Sequence, residues 1–384
     1  MARREFLQLA EQFGPAKHQV AFHYISEKLD GTRCFWDGGL SRGLRTEDIP
    51  WASVIDPKTG AKKAKIKPRA TGLWSRYGNP IIAPDEFLNL LPSCPLDGEL
   101  WAGRGNFQLC RSICGGDTPD PRFMSKIVYA VYSTPPLASV FATGEIKNTN
   151  MVLAMDHIAV EHWIRRRFES LTKEPAFKGV PMPKRCLGDD YKYLPPGVPF
   201  ADELRFLNEN LDNADPDSRC YLHPQTQLSA NPAEAADQIE AFLQKVLELG
   251  GEGVVIRNPN ATWTPKRHKG ILKYKPFEDA EATITGFTSG RETDKGSRLL
   301  GRIGALITDF NGKRLELAGL TDAEREFSSG EMGVFASANP GVDMPSWFQG
   351  RSFKRGQTVT FKYRELSDEG IPKEARYWRR RDVE

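Results

Sequence analysis

Hydrophobic and polar positions change their period several times along the chain, and each change predicts an element. In residues 1–20 the apolar positions Phe6, Leu7, Leu9, Ala10 and Phe13 fit one face of a short amphipathic helix ending at Gly14-Pro15. From His18 to Arg45 the texture is strand-like, interrupted by a turn at Asp37-Gly38-Gly39. The stretch Ile55 to Arg69 is lysine-rich and nearly free of large apolar residues, which predicts a mobile loop. A buried strand is expected at Ile127 to Tyr132, a helix at about Asp156 to Leu171, and an irregular, proline-rich connection from Lys173 to Phe200.

The clearest helix follows. Asn231 suits an N-cap, Pro232 the first helical position, Glu234 a capping box, and Gly250 the stop. Ile239, Phe242, Leu243 and Val246 supply its apolar stripe, and the chain then enters a buried strand, Glu252-Gly253-Val254-Val255-Ile256-Arg257. After Pro276 short β patterns recur at Ala282–Phe287, Ile303–Thr308, Arg314–Ala318, Thr358–Tyr363 and Arg376–Arg381. Five strands in so short a span suggest a small barrel, of which the OB-fold is a common nucleic-acid-associated form. The pattern therefore predicts an α+β chain in two domains, 1–276 and 277–384.

Composition narrows this little. The 384 residues are 39% hydrophobic and 27% charged, enough to bury a core and too apolar for wholesale disorder. No apolar run approaches the roughly 20 residues of a membrane span, and no secretory signal is expected from the polar start. Six cysteines are too sparse for a disulfide scaffold, and Cys110 with Cys114 lacks the partners of a zinc site, so reduced thiols in cytoplasm are expected. The net charge of +3 permits a polyanionic partner without demanding one. Basic residues do cluster, at Lys62 to Arg69, Arg165 to Arg167 and Arg379 to Arg381.

Four motifs carry chemistry. In Lys28-Leu29-Asp30-Gly31-Thr32-Arg33 a lysine stands beside a tight turn, where desolvation and neighbouring cations can make an amine nucleophilic. In Leu96-Asp97-Gly98-Glu99-Leu100 two carboxylates bracket a glycine; alone, this reads as an exposed hairpin turn, but it can also hold a ribose hydroxyl or a hydrated cation. Glu252 would sit at the mouth of a buried strand. Lys273 and Lys275 share a face at period 2, where two ammoniums call for an anion such as phosphate between them. There is no Gly-x-x-x-x-Gly-Lys-Ser/Thr loop, so phosphates are not held in that way.

Taken in order, these motifs resemble those of the ATP-dependent DNA ligases, compact phage or bacterial two-domain members of the covalent nucleotidyltransferase superfamily. The likeness runs from about Ser26 to the last strands. It implies an adenylation domain of antiparallel sheets and helices, then an OB domain. It also implies that Lys28 becomes AMP-linked, that Ser26 and Arg33 contact the nucleotide, and that Glu99 and Glu252 serve ribose and metal. Lys273 and Lys275 would hold the α-phosphate. Arg33, Ser75 and Arg76 would meet the DNA nick, with Ser75-Arg76 preferred over Ser41-Arg42. The family's adenine-stacking aromatic falls on Tyr129 or Tyr132, Tyr129 being favoured, and the pyrophosphate-orienting arginine on one of Arg379, Arg380 and Arg381, with Arg379 and Arg381 taken as the candidates. The implied cofactors are ATP and Mg2+ or Mn2+, and the implied partner is nicked duplex DNA. The expected protein is a monomer of the bacterial cytoplasm, or phage-encoded, with no membrane and no obligate protein partner. An mRNA-capping guanylyltransferase, an RNA ligase and a catalytically silent nucleic-acid clamp stay open as alternatives.

Overall fold

The computed structural model describes residues 6–49, 51–55, 61–63, 65–141, 192–211, 218–292, 298–367 and 369–380. The chain divides into two units, Met1–Tyr274 and Lys275–Glu384. The expected helix at Asp156 to Leu171 and the basic run at Arg165 to Arg167 lie outside the described residues.

The first unit holds two five-stranded sheets. One contains β1 (Leu9–Gln12), β2 (Tyr24–Glu27), β8 (Thr226–Gln227), β9 (Val254–Arg257) and β10 (Arg267–Tyr274), in the order β1-β10-β9-β2-β8. The other contains β3 (Thr32–Asp37), β4 (Leu73–Ser75), β5 (Pro95–Trp101), β6 (Val128–Ser133) and β7 (Cys220–Leu222), in the order β4-β3-β5-β6-β7. Among the described strands of this unit, only β1–β10 and β6–β7 pair in parallel. Along β3 the side chains alternate between two cores. Cys34 and Trp36 join Leu73, Leu96 and the helix Phe107–Gly115, whereas Phe35 joins Trp51 and Trp74.

The segment expected as an N-terminal helix is instead the strand β1. Phe6 and Leu7 enter the Phe35–Trp74 core, while Phe13 enters a separate core with Ile25 and Val254. A single helical stripe serves one core; an extended segment reaches both. Backbone hydrogen bonds from Leu9 N to Lys266 O (3.0 Å) and Phe13 N to Lys273 O (2.9 Å) fix it.

The helix predicted after Asn231 runs from Pro232 to Glu248, with the Asn231 side chain accepting from Ala233 N at 2.9 Å. Ile239, Leu243 and Val246 are buried against Ile25, Val254 and Leu272. Glu234 does not close a capping box. It accepts from the Ser229 hydroxyl (2.7 Å), which in turn accepts from Asn231 N (3.1 Å). Gly250, at φ +78°, takes the left-handed turn that ends the helix region.

In the second unit β11 (Glu278–Ser289), β12 (Ile303–Phe310), β13 (Lys313–Leu317), β14 (Thr358–Tyr363) and β15 (Arg376–Arg380) pair in the order β13-β12-β11-β14-β15. Tyr377 N donates to Ala318 O at 2.8 Å, so the ends of the sheet meet and the barrel closes as expected of an OB-fold. Phe287, Phe348, Phe353 and Phe361 fill it. A helix at Gly330–Ala338 escapes sequence reading because its apolar residues follow no helical stripe, Val334 being 73% exposed.

Glu203, on the helix Phe200–Asn210, ties that helix to β6 by accepting from Ser133 Oγ (2.6 Å) and Thr134 N (3.3 Å). Burial pushes its carboxyl up to about 7 from 4.5, against the pull of those hydrogen bonds. The folded chain therefore keeps a proton that the unfolded chain releases between those values. Folding stability falls as pH rises through this window, and Asp37, pushed up to about 6 by burial, adds to the same slope. Glu203→Gln is expected to flatten the dependence by an amount on the order of 2 kcal/mol between pH 5 and pH 8. Urea unfolding at the two pH values measures it; an unchanged slope refutes the assignment.

Candidate active site

Lys28-Leu29-Asp30-Gly31 is the short link from β2, in one sheet, to β3, in the other. Leu29 is buried and anchors it. At Gly31 a Cβ would collide with the Leu100 carbonyl and crowd Glu99 Cγ, so only glycine lets the turn lie against β5. Antiparallel pairing of Glu27 with Val254 brings Lys28 to the start of β9, where Lys28 N donates to Gly253 O at 2.8 Å. There the Lys28 ammonium forms an ion pair with Glu252, 224 residues away in sequence.

The motif Leu96 to Leu100 is not a hairpin turn. It lies within the seven-residue strand β5, and the pairing with β6 slips by one residue between Asp97 and Gly98. Gly98 is required there because a Cβ would run into the Ala130 carbonyl and the Tyr129 ring. Arg33 lies opposite Glu99 in the β3–β5 register, and its Nε and Nη2 donate to the two oxygens of Asp97 at 3.0 and 2.6 Å. Asp97 is 1% exposed. Burial pushes the Glu99 carboxyl up to about 8, although Lys28 and Arg33 pull it down.

These side chains border a cavity of about 370 Å³ whose walls come from both sheets. Six cations line it, Lys28, Arg33, Arg76, Arg257, Arg267 and Lys273, against the three acids Glu27, Asp30 and Glu99. Such an excess favours a compact polyanion, and Tyr132 supplies an aromatic wall. Two of the acids are neutralised or perturbed: Glu27 is held by Arg104 (2.8 and 2.6 Å), and Glu99 resists ionisation. No group of three or more His, Cys, Asp or Glu residues converges as a ready-made metal cage among the described residues.

Of the residues singled out in the sequence, Ser26, Lys28, Arg33, Arg76, Glu99 and Lys273 line the cavity, and Glu252 joins it through Lys28. The others are placed as follows. Tyr129 is fully buried in the core beside Cys34 and Leu96, donating its hydroxyl to the Cys34 and Leu96 carbonyls (both 2.9 Å); Tyr132, three residues on, borders the cavity instead. Lys275 does not continue the face of Lys273. It lies past the end of β10 and pairs with Glu365 at 2.9 Å in the second unit. Ser75 holds its own turn, its hydroxyl accepting from Asn79 N at 3.1 Å, and leaves the cavity to Arg76. Ser41 and Arg42 are structural, bonded to Asp37 and Asp85. Arg379 is exposed on β15, 4.5 Å from the Trp378 ring centre, and Arg381 lies outside the described residues. In the lysine-rich stretch, Lys63 and Lys67 are held by Ser53, Asn79, Pro80 and Gly116.

Sequence reading passed over Arg257 and His223. Arg257 ends an apolar strand, is buried, and packs 4.9 Å from the Tyr132 ring centre and 4.8 Å from that of Phe200 while donating to Tyr132 O (3.0 Å). Its charge in a strand otherwise made of Val and Ile was the available signal. His223 had none, being one histidine between two short strands.

No family model matches the chain. It is 27% identical over 160 residues to a DNA ligase of Haemophilus influenzae, covering 41% of this chain and 49% of that one. It is 34% identical over 132 residues to a DNA ligase of Halobacterium salinarum, covering 33% of this chain and 22% of that one. The matched part thus spans half or less of these curated relatives. The fold aligns with a solved structure from a study of DNA binding with a minimal scaffold in the Lig E DNA ligases, at a TM-score of 0.58 and 23% identity over 98% of both chains. Part of the sequence is thus similar to DNA ligases, and the fold is similar to that of a Lig E ligase structure. The chain's two-unit α+β architecture, adenylation-type sheets followed by an OB barrel, is the one that the Lig E ligase fold displays.

Asp97→Asn is expected to leave Arg33 without its countercharge and to destabilise the first unit by about 2–3 kcal/mol. Urea unfolding checks this; a loss below about 0.5 kcal/mol would mean that the pair is solvated rather than structural.

Proposed function

We propose that the chain is an ATP-dependent DNA ligase that seals nicks between a 5′-phosphate and a 3′-hydroxyl in duplex DNA. One observation carries the reading: a lysine on the link between two sheets, paired to a carboxylate, in a cation-lined cavity of a chain related to DNA ligases. Lys28 is the nucleophile. Its ammonium must lose a proton before attack, and the Glu252 carboxylate in contact with it is the nearest acceptor. The N–P bond to the α-phosphate of ATP forms as the bond to pyrophosphate breaks, giving lysyl-AMP. AMP then passes to the 5′-phosphate of the nick, and the 3′-hydroxyl displaces it to close the strand.

The surrounding residues divide this work. Lys273 and Arg33 neutralise phosphate charge, Tyr132 and Ser26 face the base, and Arg76 is offered to the nick. Arg379 and Arg381 orient pyrophosphate from the barrel. A divalent cation, Mg2+ or Mn2+, suits the all-oxygen donors Glu99 and Glu252. A carboxyl that burial holds near neutral in a cavity gains most from a cation beside it. When bound, the metal supplies charge neutralisation at the phosphates. Five described cysteines are unpaired, in keeping with a reducing cytoplasm, and no described helix is long and apolar enough to cross a membrane.

Incubation with labelled ATP and Mg2+ is expected to leave an acid-labile adduct on the wild-type chain. Lys28→Ala and Lys28→Arg should abolish it, since arginine stays protonated. Adduct at the wild-type level in either variant removes Lys28 as the nucleophile. Arg379→Ala should slow adduct formation by about 10-fold or more while leaving sealing of a pre-adenylated nick unchanged. Equal rates in single-turnover assays would take Arg379 out of the first step.

A further inference from the structure

We infer that the outer side of β14 and β15 is a binding site for single-stranded nucleic acid, with Trp378 as the ring on which an unpaired base stacks. The inference rests on the geometry of the second unit alone and does not depend on the sealing reaction.

In an undisturbed strand alternate residues face the same way. Phe361 and Tyr363 of β14 and Tyr377 of β15 pack into the barrel core, so Lys362 and Arg376, opposite each other in the register, point outward. The alternation then breaks. Tyr377 lies opposite Phe361 and Arg379 opposite Thr360, which leaves Trp378 as the extra residue of a β-bulge. A bulge of this kind re-aims side chains. Trp378 and Arg379 are consecutive, yet both are exposed, Trp378 by 44%.

The cations of this face are not held by acids. In the register Lys362 stands between Asp279 on β11 and Arg376 on β15, but its ammonium lies 3.7 Å from the Trp378 ring centre instead of pairing with Asp279. The Arg379 guanidinium is 4.5 Å from the same centre. Among the described residues neither has an acidic partner, and nor does Arg376. Elsewhere on this unit the exposed Arg298, Arg314 and Arg351 each hold a carboxylate. Two positive groups gathered on one ring repel each other, and an anion beside them relieves the repulsion. Phe277 repeats the arrangement. It is also 44% exposed, and the guanidinium of Arg364, two positions after Lys362 and so on its side of the strand, lies 3.5 Å from the Phe277 ring centre.

The length of the row and the free rings decide the ligand. Arg376 and Arg379 are three residues apart, about 10 Å along a strand. One phosphate group does not reach across such a row, whereas a nucleic-acid backbone carries a charge at every nucleotide. In a duplex the faces of the bases are hidden within the stack; in a single strand they are open to an aromatic ring. A cation on an exposed ring gains little there, less than a stacked base does. A base arriving on Trp378 therefore displaces a cation, which moves to the flanking phosphate.

Fluorescence anisotropy with an end-labelled oligo-dT of about 12 nucleotides, a length that one such barrel covers, tests this on the full-length chain. The wild-type chain should bind it about 5-fold or more tighter than an abasic strand with the same number of phosphates. Trp378→Ala should erase that difference and Trp378→Phe should restore most of it, while a blunt duplex of the same length is bound equally by all three chains. Lys362→Ala should keep the preference for bases and shallow the slope of log K against log salt by about 0.7. Equal wild-type affinity for the oligo-dT and the abasic strand overturns the inference without any variant having to fold. So does a Trp378→Ala chain with the wild-type preference, or a loss as large on the duplex as on the single strand. Failure of the ligase reading would look different: no nick would be sealed, and these ratios would stand.

Discussion

The antiparallel pairing of β2 with β9 is the constraint on which the rest of the first unit depends. It joins two segments more than two hundred residues apart and sets Lys28 against Glu252 and Gly253. The link that follows β2 then carries the chain into the second sheet, so one turn belongs to both walls of the cavity. Its charges would repel one another without the acids threaded among them. Asp97 fixes Arg33, Glu252 fixes Lys28, and Arg104 removes the Glu27 carboxylate from the competition. What is left is a net positive hollow whose cations are held by partners, not by their own stiffness.

Much of this was legible in the sequence where one physical rule dominates. The helix after Asn231 has a cap, a proline at its first position, a stripe and a stop, and all act in the same direction. The barrel strands could be read because apolar alternation and glycine turns coincide. The lysine link could be read because Asp-Gly after lysine is rare and glycine is sterically enforced at position 31. Reading failed where tertiary partners decide. Five apolar residues near the start satisfy a helical face equally well as a strand that feeds two cores. Asp97-Gly98 resembles a turn because the one-residue slip against β6 that accommodates it cannot be seen from β5 alone. Tyr129 and Tyr132 are the same residue type three positions apart, and only the packing of one ring over Gly98 tells which is left to the cavity. The strand ends at Tyr274, one residue before the period-2 pattern that joins Lys273 to Lys275 would end it.

The aromatic wall shows how a buried cation can be part of a site without pairing with an acid. Arg257 packs against Tyr132 and Phe200, and its hydrogen bond goes to a backbone oxygen. Ring faces and carbonyl dipoles take the place of a carboxylate. That arrangement stiffens Tyr132 from behind and keeps a positive field close to the ring.

The separation of β2 from β9, and of β1 from β10, also bears on how the polypeptide is made. A sheet whose neighbours are so distant in sequence has high contact order and cannot close locally. On the ribosome, β1, β2 and Lys28 emerge long before their hydrogen-bonding partners exist, while the helix after Asn231 can form as soon as it is translated. A nascent chain truncated before residue 254 has the lysine but neither the strand beside it nor a finished wall. The cavity is therefore complete only in finished molecules, and unpaired edges in the interval are where a folding chaperone would be needed most.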